Sequence, residues 1–88
     1  MKVFFKKSFQ KDLLKLRDTK LNQLTAQVIE SVEKAQNLGQ LSQLKKLKGY
    51  KNFYRIRLGE YRIGLQITAE GIIFVTIGHR KDIYKNFP

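Results

Sequence analysis

The spacing of apolar residues changes along the chain, and the change separates two kinds of structure. In the first part they recur every three or four positions. Phe9, Leu13, Leu14 and Leu16 fall close to one helical face, and Leu21, Leu24, Val28, Val32 and Ala35 form a second stripe. The first set predicts a helix opening at Phe9 with Ser8 as its cap. The second predicts a longer helix from about Leu21 to Leu38, with Gly39 placed as a C-terminal cap. Ahead of both, Lys2-Val3-Phe4-Phe5 reads as a short strand. Leu41, Leu44 and Leu47 follow at spacing three, which fits either a third helical turn or an irregular connection packed on the core.

From Phe53 onward the period is two. Tyr54, Ile56 and Leu58 alternate with Phe53, Arg55 and Arg57. Tyr61, Ile63, Leu65 and Ile67 alternate with Arg62, Gly64, Gln66 and Thr68. Gly59-Glu60 between them predicts a tight two-residue hairpin. Ala69-Glu70-Gly71 is a second turn, and Ile72 to Ile77 is a more continuously apolar strand. The polar segment from Gly78 to Pro88 is expected to leave the sheet. The sum is a single α+β domain over residues 1–88: two N-terminal helices packed on a small antiparallel sheet in the order β-α-α-β-β-β.

Composition narrows the function. At 88 residues, with 42% apolar residues, the chain supports one core without staples. It has no cysteine, which excludes a disulfide scaffold, a thiolate metal site and a cysteine nucleophile, and its one histidine argues against a histidine metal cluster. No cofactor or metal is expected. No apolar run approaches the ~18 residues that span a bilayer, and no signal-peptide core opens the chain, so the cytoplasm is the expected compartment. The formal net charge of +11 points to a polyanionic partner.

The hairpin locates that charge. With Gly59 and Glu60 as the loop, Arg57 faces Arg62 and Arg55 faces Gly64 on one side of the sheet, while Ile56 faces Ile63 on the other. Like charges placed directly opposite are destabilising, and Gly64 is expected to leave open space beside Arg55. Lys45, Lys46, Lys48 and Lys51 extend the basic surface upstream, so residues 45–62 hold seven bases and one acid, Glu60. Guanidinium groups grip phosphate bidentately and stay charged. Tyr50 and Phe53 interleave with these bases and offer rings on which nucleobases can stack. A solvated basic face is the plainer alternative. Whether His79 or Arg80 lies beside Arg62 depends on a turn of two or three residues at 69–71, and both alternatives stay open.

Taken in order, Leu47-Lys48-Gly49, Tyr54-Arg55-Ile56-Arg57-Leu58, Tyr61-Arg62-Ile63 and Gly78-His79-Arg80-Lys81-Asp82-Ile83-Tyr84 resemble the RelE/ParE superfamily of bacterial and archaeal toxins. The resemblance spans essentially the whole chain and implies the fold described above. Resemblance to the RelE branch implies a ribosome-dependent endoribonuclease that needs no metal. Such toxins cut mRNA in the ribosomal A site by attack of a ribose 2′-hydroxyl on the adjacent phosphate. The resemblance also implies an antitoxin partner, which the basic charge suggests is acidic and folds on binding. By matched position, Arg55 and Arg57 stand for the family's basic strand pair, Arg62 for its phosphate-gripping arginine, Arg80 for the arginine after the last strand and Tyr84 for its C-terminal tyrosine. Lys81 adds a base beside Arg80. The strand pair is often lysine in the best-known members and is arginine here. Arginine is a poor general base, so that role falls to Tyr84 or His79. Two other readings remain: the ParE branch, which inhibits DNA gyrase, and a nucleic-acid-binding module without catalysis.

Overall fold

The computed structural model describes residues 1–88. A short strand β1 (Val3–Phe5) leads into helices α1 (Lys7–Leu16) and α2 (Thr19–Lys34). Four strands follow: β2 (Leu44–Lys46), β3 (Phe53–Leu58), β4 (Tyr61–Thr68) and β5 (Gly71–His79). Single 3₁₀ turns lie at Leu38–Gln40 and Ile83–Lys85. The helices differ from expectation at their ends. α1 begins at Lys7, and Ser8 is not its cap but a donor to the Val75 carbonyl on β5. α2 is capped by Asp18, whose carboxylate accepts from the Leu21 backbone N–H at 2.9 Å. It stops at Lys34 rather than Leu38, because Ala35 turns to extended backbone. The Met1 amino group donates to the Val32, Glu33 and Ala35 carbonyls there, placing positive charge at the negative end of the helix dipole. Gly39 therefore lies in the following 3₁₀ turn.

The sheet has five strands in the order β1-β5-β4-β3-β2, and it is mixed rather than purely antiparallel. β1 pairs parallel with β5, Phe4 beside Ile73, because the chain leaves β1 through two helices and returns by three antiparallel steps. The segment of Leu41, Leu44 and Leu47 supplies an edge strand, β2, of three residues. The β3–β4 hairpin has the expected register: Arg57 opposite Arg62, Ile56 opposite Ile63 and Arg55 opposite Gly64. Of the two turn residues only Gly59 takes a positive φ, 60°, as a II′ turn requires. The β4–β5 loop is also two residues, but a bulge follows it. Leu65 pairs with Phe74 while Gly64 pairs with Thr76, so Val75 is the extra residue.

One face of the sheet carries the core. Ile56, Ile63, Leu65, Ile72, Phe74 and Ile77 are buried against Phe9 of α1 and Leu21 and Val32 of α2. The outer face carries Arg55, Arg57, Arg62, Gly64 and Gly78. The segment after β5 does not leave this face: Ile83 and Phe87 are both buried. A Cβ on Gly64 would lie 2.8 Å from the Phe87 ring and 2.8 Å from Thr76 Cγ2, and one on Gly78 would lie 3.8 Å from Ile83 Cβ. The space expected beside Arg55 is therefore occupied by Phe87, and glycine is required at 64 because any side chain would displace that ring.

Two substitutions test this packing. Asp18→Ala removes the α2 cap and is expected to cost about 1 kcal/mol, lowering Tm by about 4–8 °C in a domain of this size. Thr25, on α2, is buried with no partner for its hydroxyl. Thr25→Val keeps the shape and removes the unsatisfied group, so denaturant unfolding is expected to show a gain of about 1 kcal/mol.

Candidate functional site

The outer face is built in rows that cross the strands. One row runs Lys45, Arg55, Gly64, Thr76, and the next runs Arg57, Arg62, Gly78. Residues directly opposite on one face are neighbours, so Lys45 and Arg55 form one like-charge pair and Arg57 and Arg62 another. Arg55 is aimed by a bond from its Nη1 to the Gln43 carbonyl at 2.9 Å. Gln43 takes a left-handed φ of 63°, and its carbonyl also accepts from the Arg57 backbone N–H. Nothing in the sequence marks Gln43 for this part, because its contribution is a backbone conformation.

Arg55 opens into a cavity of about 870 Å³. Its walls are Lys45, Lys46, Leu47, Lys48, Gly49, Tyr50 and Lys51 from β2 and the loop after it, Arg55 from β3, and Tyr84 from the far end of the chain. Five cations and two tyrosines converge there, and no acid lines it. Tyr50 and Tyr84 are both about half exposed, at 49%, so their rings are free to meet a ligand. Phe53 is placed differently: its ring packs edge-on against Tyr50 at 6.0 Å and against Phe87 at 5.6 Å. It supports the cavity wall from behind.

The remaining sequence candidates lie outside this cavity. Arg57 is exposed and borders a smaller cleft, about 310 Å³, between α2 and β3. Arg62 folds over the hairpin turn, its Nη1 donating to the Gly59 and Tyr61 carbonyls at 2.8 and 2.9 Å. Arg80 is tied to the same turn. Its backbone N–H donates to the Glu60 carbonyl at 2.8 Å, and its Nε lies 2.6 Å from the Glu60 carboxylate. Glu60, the one acid among the bases of 45–62, is thus a partner of Arg80. Lys81 is exposed beyond it.

His79 answers the question left open by the turn: neither it nor Arg80 stands opposite Arg62, because Gly78 does. His79 pairs with Tyr61, on the side of the sheet that faces the helices, with the two rings 5.8 Å apart. Its Nδ1 accepts from the Lys81 backbone N–H at 3.2 Å. Of the two candidate bases, Tyr84 alone lines the cavity with Arg55.

Comparison with known proteins gives this geometry a family. The chain is 44% identical to Toxin RelE3 of Methanocaldococcus jannaschii over 88 residues, covering all of both chains. Its fold matches the toxin in the RelB-RelE antitoxin-toxin complex from Methanococcus jannaschii with a TM-score of 0.79 and 41% identity, covering 97% of this chain and 99% of that one. It also matches the isolated E. coli RelE toxin with a TM-score of 0.63 and 25% identity, covering 94% of this chain and 89% of that one. A family model described as ParE toxin of type II toxin-antitoxin system, parDE, matches residues 3–84. With cavity, rows of arginine and fold all in place, the chain belongs to this family of type II toxins, within the RelE/ParE superfamily.

Proposed function

We propose that the chain is a RelE-like mRNA endoribonuclease that acts on the ribosome in the cytoplasm, and that the cavity bounded by Arg55 and Tyr84 is its site. One observation carries the reading: four lysines, Arg55 and two tyrosine rings share a concave surface with no acid. Such a surface suits a single RNA strand, whose phosphates need cations and whose splayed bases need rings. In the proposed reaction the 2′-hydroxyl loses its proton and attacks the adjacent phosphorus. The bond to the 5′-oxygen breaks, leaving a cyclic phosphate on one fragment, and the 5′-oxygen takes up a proton. Arg55 and the lysines offset the charge that builds on the phosphorane. Tyr84 is placed to handle the 2′-hydroxyl proton. Arg62, in the next row, and Arg80, beyond the end of β5, are held at the 59–61 turn by neutral carbonyls and one exposed carboxylate, and assist the leaving oxygen where a bound phosphate draws them from that turn. The ribosome, by orienting the strand, supplies part of the barrier reduction that so few groups leave unmet.

The partner follows from charge and kinship. The relative from Methanococcus jannaschii is solved with RelB, which supports an antitoxin of that kind here, and the net charge of +11 favours an acidic one. The family description names ParE, and this supports gyrase inhibition as the second reading.

Primer extension on a defined mRNA, with and without programmed ribosomes, decides between them. Cleavage confined to ribosome-bound mRNA is expected. Tyr84→Phe keeps the ring and removes the hydroxyl, and a loss of about 10²-fold in kcat is expected if the phenol moves a proton. Absence of cleavage under every condition, together with inhibition of supercoiling by gyrase, would replace this reading with the ParE one.

Binding to a short single-stranded RNA gives an independent check. The logarithm of the association constant is expected to fall with the logarithm of salt by about 0.7 for each phosphate neutralised. Replacing Lys46 and Lys48 together by alanine removes two such contacts, so the slope is expected to flatten by about 1.4. An unchanged slope would place the RNA elsewhere.

A further inference from the structure

Tyr84 is half exposed on a single 3₁₀ turn, and no side-chain hydrogen bond holds it. What fixes it lies on either side. Ile83 and Phe87 are buried at 5% and 4% exposure, each over a glycine of the outer face: Ile83 over Gly78, Phe87 over Gly64. Gly64 is the neighbour of Arg55 in its row, and strands in a sheet are about 5 Å apart. The Phe87 ring therefore sits beside the residue that Tyr84 must face. The same ring packs edge-on against Phe53, and Phe53 against Tyr50 on the opposite wall of the cavity.

From this we infer that Phe87 is a positioning residue: seated on Gly64, it sets the distance between Tyr84 and Arg55 and braces Tyr50 through Phe53. The inference rests on the cavity being the reactive site. Its physical basis is a steric lock. There is no room at Gly64 for even one more carbon while the ring is in place, so the ring lies directly on the glycine. Such a residue affects turnover more than binding, since the four lysines that hold the phosphates do not depend on it and Tyr50 is reached only indirectly, through Phe53.

The test places 3-fluorotyrosine at position 84 and compares the wild type with Phe87→Ala, Phe87→Leu and Gly64→Ala. In Phe87→Ala the fluorine resonance is expected to move toward that of free fluorotyrosine. kcat for ribosome-bound mRNA is expected to fall by about tenfold or more with KM changed less than about threefold, the signature of misplacement. Phe87→Leu retains an apolar contact with the seat and is expected to restore most of kcat. Should Phe87→Ala fail to fold, Gly64→Ala, which pushes the intact ring from its seat, is expected to give the same shift and the same split. An unmoved Tyr84 resonance overturns the inference. So does a fall in kcat no greater than that of Leu13→Ala, a substitution remote from the cavity, compared at equal loss of Tm. A wild type that cleaves nothing would overturn the reading of the site, and the fluorine signal would then decide the positioning by itself.

Discussion

Two like-charge pairs, Lys45 opposite Arg55 and Arg57 opposite Arg62, sit side by side on the outer face of the sheet. Nothing on that face favours the arrangement. It is imposed from beneath, where Leu44, Ile56, Ile63 and Ile77 form a continuous apolar row across four strands. Burying each such side chain contributes about 1.5–3 kcal/mol, whereas an unfavourable cross-strand pair costs about 1 kcal/mol or less. Slipping the register by one residue would relieve the charges and expose Ile56 and Ile63, which are almost fully buried. The core decides the register, and the charges accept it. An anion placed at that face would offset the repulsion.

The rows also divide the outer face into a wet half and a dry half. Each begins with cations and flattens at a glycine, at Gly64 ahead of Thr76 in one row and at Gly78 in the other. The flat ends are where residues 83–87 lie down, so the sheet's second face becomes apolar just where the charge stops. Arg62 and Arg80 sit near this boundary, occupied by the carbonyls and the carboxylate of the 59–61 turn. The salt bridge is exposed on both sides, and such pairs contribute little. Both guanidinium groups are thus turned toward the hairpin turn, Arg80 by an exposed ion pair and Arg62 by two backbone carbonyls.

How much of this was legible in the sequence depends on where the deciding information lies. The β3–β4 hairpin was readable residue by residue, because a two-residue loop and an alternating pattern leave one register. The stripes of α1 and α2 were readable too, except that Leu14, counted in the first, lies about 140° round the helix from Phe9 and is exposed. Their ends were less so: α2 ends where Ala35 turns to extended backbone beside the Met1 amino group, a contact over thirty residues away. The parallel pairing of β1 was hidden because three residues carry no mark of their partner. β2 was hidden because leucines at spacing three imitate a helix. Of the cavity, the bases and both tyrosines could be named in advance. The role of Phe87 could not, since Ile83 and Phe87, separated by Tyr84, Lys85 and Asn86 in a mostly polar tail, make no pattern. The seat at Gly64 looked like empty space until the ring was found in it.

The bulge at Val75 shows how one residue decides which side chains surround a distant position. A two-residue turn at Ala69-Glu70 with no bulge would set Ile77 opposite Arg62 and Gly78 opposite Tyr61. Ile77 would then face outward among arginines, and Gly78 would leave a hole in the core. The extra residue shifts the second half of β5 by one. Ile77 enters the core, Gly78 comes to the outer face where Ile83 needs a flat surface, and His79 turns toward Tyr61 and the helices. The run Ile72 to Ile77 is apolar almost throughout, so no alternation in the sequence reveals the shift. Its consequence for the cavity is one of subtraction. With His79 turned away, the lining consists of cations, leucine, glycine and two tyrosines, and the proton carriers available beside Arg55 are reduced to the lysines and the phenols. Of these, Tyr84 arrives on the segment locked at Gly64, whereas Tyr50 belongs to the loop it braces; the packing of one phenylalanine therefore sets the relation between the two.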